Sequence, residues 1–85
     1  MNFDMLEMEV IRFADKNGLS GVLPKDAANF VAMQAENLIG DEQTDDLTTI
    51  KNSVGSIVVA LIAYCDSRDI TMTECLDVIV KRTKA

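Results

Sequence analysis

The stretch "IVVALIAYC", residues 57 to 65, constrains this chain most, because it is apolar on every side of any helix it forms. It sits inside a longer helical repeat of Leu47, Ile50, Val54, Ile57, Val58, Leu61, Ile62 and Cys65. A helix of that kind has to be covered on more than one side. The chain has 85 residues, enough for one domain over residues 1–85. A chain of that length buries only about 60 to 65% of its unfolded surface. Three short neighbouring helices cannot easily cover the run, so a homodimer is expected, with Ile57, Val58, Leu61 and Ile62 as core and dimer seam. The run falls short of the roughly 18 apolar residues of a membrane span, and "MNFDMLEMEV" has no basic leader region. No membrane partner and a cytoplasmic location are therefore expected.

The remaining segments also carry helical signals. Asn2 is placed to cap a first helix with Phe3, Leu6, Val10, Phe13 and Ala14 on one face, and Gly18 is a natural stop. "LSGVL" reads as a loop. Pro24 suits the first turn of a second helix, where its missing N–H costs nothing. That helix carries Ala27, Phe30, Val31, Met33, Gln34, Leu38 and Ile39, and Gly40 is expected to end it. After the charged turn "DEQTDD" comes the long third helix. Thr71 to Glu74, "TMTE", is a capping box that opens a last helix bearing Cys75, Leu76, Ile79 and Val80. With little Gly or Pro, the fold class expected is all-α, a bundle of four helices.

Charge and composition narrow the function. The net charge of −6 disfavours wrapping nucleic acid, which needs a clustered basic surface, so no direct nucleic-acid binding is expected. Asp41, Glu42, Asp45 and Asp46 form an acidic turn suited to a protein partner with a basic surface. Lys81, Arg82 and Lys84 sit where cations complement a helix C-terminus, and they are the candidate phosphate contacts. Cys65 and Cys75 lie in apolar settings and read as reduced core thiols. The sequence holds no histidine, which removes triad and histidine-base chemistry. Carboxylate-metal chemistry on helices is what remains open.

Three stretches, "IRFADKNGL", "PKDAANFVAMQAENL" and "IKNSVGSIVVALIAYCDSRDITMTECLDV", together resemble small stand-alone MazG-like proteins of the all-α nucleoside triphosphate pyrophosphatase family, a type often encoded by bacteriophages. The resemblance implies a four-helix MazG-like bundle. It also implies where Mg²⁺ would be held: the family's Glu-Glu-x-x-Glu set falls on Ala35, Glu36 and Ile39, and its Glu-x-x-Asp pair falls on Ser53 and Ser56. Of those five positions only Glu36 keeps an acid. Neutral hydroxyls are poor substitutes for anionic Mg²⁺ ligands, so no metal site, no cofactor and no hydrolysis are expected. The expected function is that of an inactive MazG-like protein-binding module, a modulator of a host protein if phage-encoded. The alternatives are a weak Mg²⁺-dependent pyrophosphatase and a nucleotide binder without hydrolysis. Ser53, Gly55 and Ser56 also form a small-residue face that would let another helix approach closely.

Overall fold

The computed structural model describes residues 2–16 and 21–84, and all regular structure within them is helical: α1 (Phe3–Lys16), α2 (Pro24–Glu42), α3 (Leu47–Ser67) and α4 (Met72–Lys84). The expected stop at Gly18 and the first part of "LSGVL" lie outside the described residues. α2 and α3 form the main antiparallel seam, α1 lies along α3, and α4 touches α1 and α3 more sparingly.

The helix starts follow local chemistry. The Asn2 Oδ1 accepts the Met5 N–H at 2.9 Å, so Asn2 caps α1 as its spacing predicts. Pro24 opens α2 with no side-chain cap before it. Asp46 caps α3, accepting the Thr48 N–H at 3.2 Å and the Thr49 hydroxyl at 2.7 Å. At α4 the Thr71 hydroxyl accepts the Glu74 N–H at 3.1 Å, which is half of the expected capping box. The other half differs: the Thr71 hydroxyl faces the Glu74 carboxylate at 3.3 Å.

Gly40 does not end α2, contrary to the expectation. The helix runs on to Glu42, and the chain then turns through Thr44, whose N–H donates to the Asp41 carbonyl at 3.0 Å. Glycine stops a helix when the chain needs a left-handed residue, and here Asp45 takes that role with φ 55°.

α3 ends in a Schellman motif. The Ile70 N–H donates to the Cys65 carbonyl at 3.0 Å and the Asp69 N–H to the Asp66 carbonyl at 3.1 Å, while Asp69 sits at φ 59°. A left-handed non-glycine residue carries a steric penalty of roughly 1 kcal/mol. Asp69→Gly is therefore expected to raise stability by about 0.5 to 1 kcal/mol, visible as a higher urea midpoint at unchanged slope.

The core is narrow. Its fully buried apolar side chains are Ala14, Ala27, Ala60, Ile62 and Cys65, at 7% exposure or less, with Ala60 and Ile62 the most completely enclosed. Within the apolar run from Ile57 to Cys65, Ile57, Val58 and Leu61 are only half-buried in one chain. By length and composition α3 as a whole meets the criterion for a membrane-spanning helix, a point the nine-residue run alone does not reveal. It nevertheless packs on all three other helices.

Candidate functional site

The α2–α3 seam is where the resemblance would place a metal. Ser53 is 4% exposed, and its hydroxyl donates to the Asp41 carboxylate across the seam. Beyond Pro24, the less exposed residues of α2 are Ala27, Val31, Gln34, Leu38 and Asp41, and their spacing marks the side that faces α3. Glu36 is exposed and lies about 140° around the helix from Asp41, so the one acid among the five positions that the resemblance names points away from Ser53. Ala35 and Ile39 are exposed as well. Ser56 turns its hydroxyl back to the Asn52 carbonyl at 2.8 Å, a local bond that leaves it no anionic character.

The residues at this seam do not fit a divalent cation. One carboxylate, Asp41, is already engaged by a hydroxyl, and Glu36 is on another face. Among the described residues no three carboxylate or thiol groups converge as a cation site would require. The small-residue face is smaller than its sequence suggests. Ser53 is the position where a small side chain allows close helix approach, whereas a Cβ added at the exposed Gly55 would meet no atom within 4 Å.

The acidic turn is less uniform than its sequence. Asp41 and Glu42 lie in the last turn of α2, Asp45 is the left-handed residue and Asp46 is the α3 cap. Asp41 and Asp46 are thus committed to holding helices together or starting them. Glu42 and Asp45 are exposed and take part in neither role. At the other end, Lys81 pairs with Asp77 at 2.8 Å on an exposed surface, and Arg82 is exposed. The side chain of Lys84 lies outside the described residues. Among the described residues, nothing brings Lys81 or Arg82 to the α2–α3 seam.

Two features escaped the sequence reading. Glu7, a glutamate in the middle of α1, is 4% exposed, and its carboxylate accepts the Met72 N–H at 2.6 Å. One turn earlier, Asp4 accepts the Thr73 hydroxyl. Two acids of α1 therefore meet the N-terminus of α4, where unpaired N–H groups and the helix dipole favour negative charge. Asp4 and Glu7 stand three residues apart on a helix, which puts them on one side, but only the fold shows what they face. The second feature is the closeness of Cys65 and Cys75: both are free thiols, as their sequence settings suggest, and their sulfurs are 3.9 Å apart.

Comparison with protein-family models, with curated proteins and with solved structures finds no match.

Proposed function

We propose that this chain is a non-hydrolytic, MazG-like helical module that acts by binding proteins: a second copy of itself and a heterologous partner with a basic surface. The observation that carries the reading is how much surface a single chain leaves exposed. The chain presents 6410 Å² of surface. A compact monomer of 9.3 kDa is expected to present about 5,000 Å². The difference, about 1,400 Å², exceeds the roughly 800 Å² per partner that a standard interface covers. The radius of gyration, 13.9 Å against about 12 Å for a compact domain of this length, says the same.

The exposed side chains concentrate on the outer helices. Phe3, Leu6 and Phe13 on α1, and Leu76, Ile79 and Val80 on α4, are each more than a third exposed. The dimer seam is accordingly assigned to α1 and α4 together with the half-buried side of α3, a shift from the seam on α3 alone that the sequence suggests. Glu42 and Asp45 are assigned to the heterologous partner, in keeping with a cytoplasmic modulator of another protein.

Sedimentation at micromolar concentration is expected to give twice the 9.3 kDa chain mass. A compact, stable monomer overturns the self-assembly. Purified protein is expected to release no pyrophosphate from nucleoside triphosphates with Mg²⁺, and release that Glu36→Gln abolishes overturns the non-hydrolytic reading. For a partner in hand, Glu42→Gln with Asp45→Asn should slow association at low salt, while Asp41 and Asp46 stay intact to preserve the fold.

A further inference from the structure

Cys65, near the end of α3, and Cys75, in the first turn of α4, bracket a segment whose backbone is already paired. The Schellman bonds to Cys65 and Asp66 and the Thr71 cap fix how the chain leaves one helix and enters the next. Across that segment the two sulfurs lie 3.9 Å apart. A disulfide needs about 2.05 Å, so the sulfurs must close by a little under 2 Å.

We infer that Cys65 and Cys75 form a reversible redox pair, oxidised by a low-molecular-weight disulfide to an internal bond that staples α4 to α3. Cys75 is the more exposed of the two and is the thiol an outside reagent reaches. Its thiolate attacks one sulfur of glutathione disulfide, forming a mixed disulfide and releasing one glutathione thiolate, which takes up a proton. Cys65 then gives its proton to solvent and attacks the Cys75 sulfur. The Cys65–Cys75 bond forms, and the second glutathione leaves and is protonated. Two protein thiols are oxidised and one small disulfide is reduced to two thiols.

Cys65 is suited to resolving rather than initiating, because it is 4% exposed and its near neighbour is the Cys75 sulfur. Burial pushes its thiol up to about 11, with further upward pressure from the Cys75 sulfur and from the carboxylates of Glu7 on α1 and Glu74 on α4. The second step therefore quickens as pH rises. The consequence is structural: α4 is otherwise tied to α1 through Glu7 and Asp4, and the staple would fix the angle at which Leu76, Ile79 and Val80 are presented.

The test is titration of the whole folded chain with glutathione disulfide, followed by intact mass and peptide mapping. The expected product is a Cys65–Cys75 bond within one chain, two hydrogens lighter and restored by dithiothreitol. Half-oxidation should need at least about tenfold less glutathione disulfide than the same chain in urea, because the fold holds the thiols together. Cys65→Ala should stop at a glutathione adduct on Cys75, and Cys75→Ala should stay unmodified while folded. Disulfides between chains as the main product, an adduct that persists on Cys75 of the parent, or equal oxidation in the folded and urea-unfolded chains would each overturn the inference. The last comparison needs no variant to fold.

Discussion

Ser53→Glu is expected to cost about 3 to 5 kcal/mol of stability, enough to unfold much of a domain whose whole margin is of the order of 5 to 10 kcal/mol. Ser53 is 4% exposed and faces the Asp41 carboxylate, so the new side chain would bring volume and a second negative charge into the same seam. Two like charges about 4 Å apart at an effective dielectric of 20 repel by about 4 kcal/mol, and overpacking adds about 1 to 3 kcal/mol. Protonation of one carboxyl relieves part of this, which sets the upper end of the range. Urea unfolding followed by circular dichroism measures it. Ser56→Asp is the control: that hydroxyl is only half-buried and bonds locally, so its loss should cost less than about 1 kcal/mol. A Ser53→Glu variant as stable as the parent would mean that this side of α3 does not pack on α2. Rescue of the variant by Mg²⁺ would mean that Asp41 and the new carboxylate can share a cation, and would reopen the hydrolytic reading.

The serines of α3 show how much of the site can be read without coordinates. Their presence where the MazG-like resemblance implies acids is plain in the sequence, and so is the absence of negative charge at those two positions. What Ser53 does instead is not legible, because its partner lies twelve residues away on another helix and is itself masked inside a run of acids. Asp41 looks like one more charge of a solvated turn. Packing alone separates it from Glu42, its neighbour in sequence, which stays exposed.

The helices were more legible than their ends. Asn2, Pro24 and Thr71 act within three residues of where they stand, so local sequence suffices to place those starts. Gly40 misleads because glycine permits a stop without requiring one, and the following turn supplies its left-handed residue at Asp45. The run from Ile57 to Cys65 correctly marks the central helix, but its depth of burial depends on neighbours. Small side chains such as Ala27 and Ala60 make the tight contacts, while Ile57, Val58 and Leu61 remain half-buried beside them.

Glu7→Ala is expected to loosen α4 while the α2–α3 seam holds. The Glu7 carboxylate is buried and accepts the Met72 N–H at 2.6 Å, a charge-assisted bond at the start of a helix. Removing it leaves a shielded N–H without its acceptor and a small void, at a cost of about 2 to 3 kcal/mol. Because α4 touches the bundle sparingly, most of that cost should appear as local opening rather than global unfolding. Hydrogen exchange reads the difference: amides in the first two helical turns after Met72 that are protected in the parent should exchange about 30- to 100-fold faster, at 1.4 kcal/mol per factor of ten. Amides of α2 and of the middle of α3 should change much less. Glu7→Gln keeps an acceptor oxygen in place without the charge, so it should recover roughly half of the lost protection. Uniform acceleration through all four helices would show instead that Glu7 supports the whole core. No acceleration anywhere would show that the helix start is satisfied without it, with Asp4 at the Thr73 hydroxyl as one remaining tie between the first helix and the last.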